Sequence, residues 1–352
     1  MAVWSPRLLA FLEPHLRTLV RAAAGEAWQT AGWVLMAGDG SRVALPHTAE
    51  NLKAFGGGGK NHSGPSAWLV MILHLGTNLP WAWKIGRATA AERGLLRQRL
   101  PLLPALALVI ADAGYTGYEF WTGLHHSGRA FLIPVGSHVR LLTKLGYVVR
   151  EHEGIVYVWP DRPQKRRPPP LVPRLIVLSD GRKPVYLLTN VLDAVRLSDV
   201  QAAEFYRRRW HLELFFRGLK QTLAKRTMRS AAPVTAALER RGAVLGLALL
   251  GVWGVQALAA AGRDVRRLSL AGVPRHLRAC LVRPRHRCRR SQSLPVRLAG
   301  ALQDAYRRVG PKVSGHWPHK KKDRPPGAPQ INPATTPQIL IAQNLTLGRT
   351  AA

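Results

Sequence analysis

The stretch from Tyr206 to Lys220 reads Tyr-Arg-Arg-Arg-Trp-His-Leu-Glu-Leu-Phe-Phe-Arg-Gly-Leu-Lys. Within it Tyr206, Arg209, Glu213 and Lys220 stand at offsets 0, 3, 7 and 14. At about 100° per residue, the four fall within about 60° of one helix face. One acid is thus flanked by a phenol and two cations. A carboxylate can hold a metal ion and cations can hold phosphates, so the stripe points to metal-dependent chemistry on a phosphodiester. Two further acids close apolar runs: Asp39 after Trp33–Ala37, in Gly38-Asp39-Gly40, and Asp112 after Ala105–Ala111. Two-metal phosphoryl transfer needs such a carboxylate cluster around cations about 3.5–4 Å apart. One cation activates the attacking oxygen and the other stabilises the leaving one. Hard oxygen ligands favour Mg²⁺, with Mn²⁺ as a substitute. Singly, each acid has a plainer reading as a hairpin turn, loop punctuation or a solvated helix charge. Their combination with the stripe favours chemistry.

Composition supports an anionic partner. The 352 residues carry 52 Lys and Arg against 19 Asp and Glu, a formal net charge of +33. The basic residues run along the whole chain, which makes nucleic acid the first candidate and an anionic membrane the second. A base-composition bias toward Arg accounts for part of this but not for the scarcity of acids. The two cysteines, Cys280 and Cys288, imply no disulfide framework. With His276 and His286 they give H-x3-C-x5-H-x-C, which fits no zinc-finger spacing. The N-terminus lacks a leader pattern, and a cytoplasmic location is expected. Gly242–Gly262 is almost wholly apolar and long enough to span about 30 Å, but its Gly and Ala content, Gln256 and flanking arginines favour a buried helix over a membrane span.

The elements that must position these residues are legible in outline. Residues 6–30 predict one or two helices. Trp33–Ala37 and Ser41–Leu45 read as a hairpin turning at Asp39-Gly40. Ala67–Leu75 and Trp81–Ala88 read as strands, Thr89-x-x-Glu92 as a capping box opening a helix to Leu100, and Ala105–Ala111 as a buried strand. Five more strands are expected at Arg129–Val135, Gly146–Arg150, Ile155–Trp159, Leu171–Leu178 and Pro184–Val191. Ser198-x-x-Gln201 is a second capping box, opening one helix that carries the stripe to about Leu223. Gly56–Lys60 fails the phosphate-loop pattern, since Asn61 takes the Ser/Thr position. The order suggests an α/β ribonuclease-H-like core: a mixed sheet flanked by helices, with a β-rich insertion between Asp112 and Glu213.

With these residues in view, the chain resembles a DDE transposase of the bacterial insertion-sequence-four group. Tyr206, Arg209, Glu213 and Lys220 match every position of that group's Tyr-x2-Arg-x3-Glu-x6-Lys signature. Asp39-Gly40-Ser41 matches its Asp-Gly-Ser/Thr element, and Asp112-Ala113-Gly114-Tyr115 its Asp-x-Gly-Tyr/Phe element. The resemblance covers about residues 30–260. It implies that Asp39, Asp112 and Glu213 bind the catalytic metals and that Tyr206, Arg209 and Lys220 contact phosphates at a transposon end. Trp210 is a candidate to stack on an unpaired base, with a core tryptophan as the equal alternative. The expected activity is metal-dependent DNA cleavage and strand transfer at the ends of a mobile element. The alternative is a catalytically inactive remnant that only binds DNA. The expected partners are double-stranded DNA, at the transposon ends and the target, and a second copy in a paired-end homodimer.

The expected organisation is a short helical segment (1–30), the first part of the core (31–114), a β-rich insertion (115–195) and the second part of the core with the Glu213 helix and the apolar helix (196–262). A basic helical region (263–309) and a basic, Pro-rich tail (310–352), expected to be disordered, complete it. Relatives in the resembled group carry a longer helical region before the first Asp than the 38 residues found here. N-terminal truncation, or end recognition shared with the basic C-terminal region, is therefore expected.

Overall fold

The computed structural model describes residues 4–57, 64–147, 154–160, 168–179, 184–222, 227–282, 302 and 327–350. In chain order its elements are α1 (Trp4–Ala24), β1 (Val34–Ala44), α2 (Ala49–Phe55), β2 (Ser66–His74), β3 (Leu79–Arg87), α3 (Glu92–Arg97), β4 (Ala107–Ala111), α4 (Tyr118–His126), β5 (Ala130–Val135) and β6 (Arg140–Thr143). There follow β7 (Arg174–Leu178), β8 (Val185–Thr189), α5 (Asp199–Arg208), α6 (Trp210–Arg217), α7 (Pro233–Ala260), α8 (Gly272–Val282), β9 (Gln330–Pro333) and α9 (Thr336–Thr350). They form two compact units, Met1–Pro104 with Arg208–Val309, and Ala105–Arg207 with Gly310–Ala352.

In the first unit β3, β2 and β1 form an antiparallel meander. The hairpin expected at Asp39-Gly40 is absent. β1 runs straight through, pairing Asp39 with Met71 and Gly40 with Val70. Neither Gly38 nor Gly40 adopts a positive φ. The long apolar β2 pairs with every residue from Met36 to Ala44, and that ladder outweighs the local turn preference of Asp-Gly. The glycines serve packing instead. A Cβ on Gly38 would lie 2.8 Å from Leu96 Cδ2 of α3, and one on Gly40 would collide with Glu92. Both therefore face α3, and by strand alternation Asp39 faces the opposite side of the sheet. The capping box expected at Thr89 does not form. Ala91 occupies the N-cap of α3 without a side-chain bond, and the Glu92 carboxylate lies over Gly40.

α7 packs on α1, β3, α2 and α8. Gly251 admits Leu79 and Gly254 admits Leu268, so the small residues of this apolar helix are close-approach points. Arg241 anchors it to α1 through Glu13, with Nη2 to Oε1 at 2.6 Å. Among the described residues it is the one helix long and apolar enough to cross a membrane, and 56% of its most apolar window is buried against the protein.

The second unit contains the sheet order β4-β5-β8-β7. β4 and β5 are parallel and α4 connects them, while β8 is antiparallel to both β5 and β7. An antiparallel meander, then a helix, then a parallel β–α–β step is the ribonuclease-H-like succession the sequence suggested. Residues 115–195 supply strands, as expected, and also the unforeseen α4. Ser198 and Gln201 do form their reciprocal cap at the head of α5, with bonds of 3.0 and 3.2 Å. The tail expected to be disordered is partly folded. β9 pairs in parallel with β6, and α9 follows with Thr335 N donating to Gln338 Oε1 at 2.9 Å. Ala342 is buried with Leu145, Tyr157 and Trp159, while Ile341 and Leu345 pack against them. The tail is rich in Pro and carries a Lys run at 320–322, but the Ile-Leu-Ile-Ala run at 339–342 supplies an apolar face. Of the strand expected at Gly146–Arg150, Gly146 and Tyr147 lie in no strand and residues 148–150 lie outside the described residues; β6 was not foreseen, and Ile155–Trp159 makes isolated bridges. Residues 58–60, Lys165-Arg166-Arg167, Asp180-Gly181, His286, Cys288 and most of 296–309 lie outside the described residues.

His74, at the end of β2, is fully buried. Nε2 lies 3.1 Å from the Trp28 carbonyl and Nδ1 lies 2.9 Å from Thr77 Oγ1. A carbonyl only accepts, so Nε2 carries the proton and Nδ1 accepts from the threonine. Burial pushes this imidazole down to about 4, against a smaller opposing effect of the Trp28 carbonyl. Between about pH 6.5 and pH 4 the unfolded chain is protonated here and the folded chain is not. Stability is therefore fully present above that window and is lost as pH falls through it. Urea unfolding of the parent should lose up to about 3 kcal/mol more than His74→Gln between pH 7 and 4. Parallel pH profiles for the two proteins would contradict this account.

Candidate active site

Three of the residues picked out by sequence meet in the first unit. Asp39 projects from the middle of β1, which α6 contacts. Glu213 stands in the first turn of α6, and Arg209 is its N-cap residue. The Arg209 guanidinium reaches both acids, with Nη2 to Glu213 Oε1 at 3.1 Å and Nη1 to Asp39 Oδ2 at 3.8 Å. The side chains of Asp39 and Arg209 are each 16% exposed and that of Glu213 is 35% exposed, so the cluster opens to solvent on the Glu213 side. Gly40 N donates to Asp39 Oδ1 at 2.8 Å, which fixes the carboxylate's orientation.

Asp112 lies in the second unit, one residue beyond β4, as its sequence predicted. Gly114 N donates to its Oδ1 at 2.8 Å. It caps a 3-10 turn, Ala113–Tyr115, that buries Tyr115. Each aspartate thus has one oxygen anchored by a backbone N–H a residue or two downstream. Such anchoring holds each carboxylate in a fixed rotamer.

The stripe is not one regular helix. α5 and α6 are separated at Arg209, where Leu212 N bonds the Arg209 carbonyl at 3.0 Å although φ −51° and ψ −31° stay helical. Beyond α6, Gly218–Thr222 winds as a π-helix, which moves Lys220 off the regular spacing. Tyr206 lies on α5, in the second unit, and is half-buried. Trp210 is 50% exposed, which removes the core-tryptophan alternative.

Sequence reasoning assigned His211 no role. Its Nδ1 lies 2.6 Å from Asn78 Oδ1, and Asn78 Nδ2 donates to the Arg266 carbonyl at 3.0 Å. Asn78 sits in the β2–β3 turn with φ +59°, a left-handed position that asparagine tolerates. This buried amide ties α6 to the meander, so the height of Glu213 over β1 is set partly there. An asparagine in a turn after a histidine-terminated strand was the available signal.

Among the described residues, no three His, Cys, Asp or Glu side chains cluster as a metal site. The donor chemistry of the Asp39–Glu213 pair nonetheless fits a hard divalent cation. Both are carboxylates, they share one positive neighbour, and Asp39 is pre-oriented. The arrangement is that of an acid pair in contact with a cation, open on one side, on a ribonuclease-H-like chain.

Residues 35–247, more than half of the chain, match the Transposase DDE domain family, and the chain belongs to that family. Transposase InsG for insertion sequence element IS4, from Escherichia coli (strain K12), is 28% identical over 235 residues. The match covers 62% of this chain and 52% of that relative, so the chain spans about half the length of the curated relative it matches. The piggyBac transposase synaptic complex with hairpin DNA, solved by cryo-electron microscopy, is 14% identical with a TM-score of 0.40, over 80% of this chain and 59% of that one.

Removing the bridging cation takes a positive neighbour from both Asp39 and Glu213. Arg209→Gln should lower stability by about 1–2 kcal/mol, read by thermal melting. A variant as stable as the parent would show that the bridge carries no net energy.

Proposed function

We propose that this chain supplies the catalytic core of a transposase that cuts and joins DNA at the ends of an insertion sequence. The observation that carries this reading is the Arg209-bridged pair of Asp39 and Glu213, in a chain of the Transposase DDE domain family. The name of the insertion-sequence relative supports the same activity. Asp39, Asp112 and Glu213 would hold Mg²⁺, with Mn²⁺ as a substitute. Bound there, the cations would activate a water or 3′-hydroxyl and stabilise the leaving oxygen.

The protein's own residues do the positioning. Gly40 N and Gly114 N hold the two aspartates in fixed rotamers. Arg209, Tyr206 and Lys220 contact the phosphates of the DNA end, where guanidinium and ammonium groups offset the crowded negative charge. Trp210, with half its surface exposed, stacks on an unpaired base beside the cleavage point. The net charge of +33 draws the duplex to the surface without reading its sequence. The partners are double-stranded DNA and a second copy in a paired-end dimer, in the bacterial cytoplasm.

The test is nicking and strand transfer on duplexes carrying the inverted repeats that flank the gene, in Mg²⁺ or Mn²⁺. Asp39→Ala, Asp112→Ala and Glu213→Ala should each lose at least about a hundredfold in cleavage while binding the duplex like the parent. Full cleavage by Glu213→Ala would sink the catalytic assignment. A parent chain that binds the duplex but cleaves in neither metal would leave a DNA-binding remnant.

A further inference from the structure

A cavity of about 490 Å³ opens on the flank of α6 within the first unit. Arg217, Arg266, Arg267 and Arg275 line it, together with the bonded pair Asn78 and His211. No acid is among its lining residues. Asp264 lies beside it and pairs with Arg266, Nε to Oδ1 at 2.8 Å. The guanidinium groups come from α6, from the turn Val265–Arg267 and from α8, three separate elements. The frame is rigid where it matters: Asn78 holds the turn through the Arg266 carbonyl, and Ser269 Oγ accepts from Gly272 N at the head of α8 at 3.1 Å.

Four arginines from three elements around one concavity, with no acid in its lining, make a positive site that suits an anion. The guanidinium fork matches phosphate oxygens in particular. Arg217 stands four residues after Glu213, about 6 Å further along α6 and about 40° around it. It therefore lies on the edge between the cavity and the face that carries Glu213. We propose that this cavity is a second phosphate-binding site, taking the backbone of the DNA strand beyond the cleavage face. The proposal rests on the DNA reading above. It adds Arg267 and Arg275, which lie outside the family match and outside the Tyr-Arg-Glu-Lys signature. Both side chains are exposed, so they can be exchanged without opening the core.

The test uses the full chain and a fluorescent duplex, with affinity measured across a salt series. Arg267→Glu with Arg275→Glu should weaken binding by about tenfold or more and reduce the salt slope by about 2. Arg267→Lys with Arg275→Lys, which keeps the charge, should stay within about threefold of the parent. Arg93→Glu with Arg196→Glu removes the same charge elsewhere and should have a much smaller effect. Melting curves check that each variant is folded. A parent that binds no duplex overturns the DNA reading and this proposal together. A parent that binds, with the Arg267/Arg275 charge reversal unchanged in affinity and slope, overturns this proposal alone. An equal loss in the Arg93/Arg196 protein also overturns it, since general charge would then suffice. Titration with inorganic phosphate separates the two sources of the anion: a charge reversal that abolishes phosphate binding yet leaves duplex binding intact assigns the cavity to a free anion and overturns the DNA assignment.

Discussion

One guanidinium holds together two acids that come from the two separate chain segments of the first unit. Asp39 comes from β1 and Glu213 from α6, separated by more than half of the catalytic region. Two carboxylates that close repel each other, and Arg209 lies between them at 3.8 and 3.1 Å. The rest of the unit can be understood as fixing that approach. β2 pairs with β1 on both sides of Asp39 and keeps the strand from turning there. Gly38 and Gly40 let α3 press on the far face of the sheet. The Asn78 amide fastens α6 to the meander through His211. Each contact is local and ordinary in strength, but a shift of β1 by one residue would send Asp39 to the face of α3 and empty the site.

Of the acid–cation stripe, the contact of Arg209 with Glu213 was legible, because an i,i+4 pair lies in residue type and spacing; the break at Arg209 and the π-turn at Lys220 were not. Asp112 was placed correctly for a similar reason: a short, fully apolar run must end somewhere, and a strand that stops at an acid is visible. Asp39 was identified but misplaced. Asp-Gly is a strong turn signal, and only the partner strand, about thirty residues later, decides otherwise. Helix ends showed the same split. Ser198 and Gln201 cap α5 as their spacing predicts, whereas Glu92, in an equivalent spacing after Thr89, lies against a glycine. Composition misled at the tail, where prolines and lysines surround a short apolar helix that finds its partners around Tyr157. Asn78 and His211 act through a tertiary contact that spacing does not encode; the asparagine's place in a turn was its one mark in the sequence.

The scarcity of acids gives the remaining ones specific tasks. Glu13 ties α1 to Arg241 of α7. Glu239 receives Arg229 N, Ser230 N and Ser230 Oγ through one oxygen. Asp264 caps the turn Val265–Arg267 and pairs with Arg266. Glu13 and Glu239 thereby join elements, and 19 acids against 52 Lys and Arg leave the chain strongly positive. The folded state therefore carries the self-repulsion of a +33 charge, which salt screens and a polyanion relieves. For a protein of this charge, a bound polyanion would also act as a stabilising counter-charge.

The two arms of Arg209 are not equivalent. At 3.1 Å its contact with Glu213 is a hydrogen bond, while 3.8 Å to Asp39 is beyond hydrogen-bond range and is electrostatic only. The bond to Glu213 also lies within one turn of helix, so it can persist through local motion. The contact with Asp39 spans two elements and is the weaker. A dication held by both carboxylates would compete first with the longer arm. Arg209 would then keep Glu213 in place through its shorter arm while the other is released. An arginine is suited to this because its five donors let it exchange one partner while keeping another. A lysine at the same position would keep its charge but lacks the planar fork that lets one arm hold Glu213 while the other turns away.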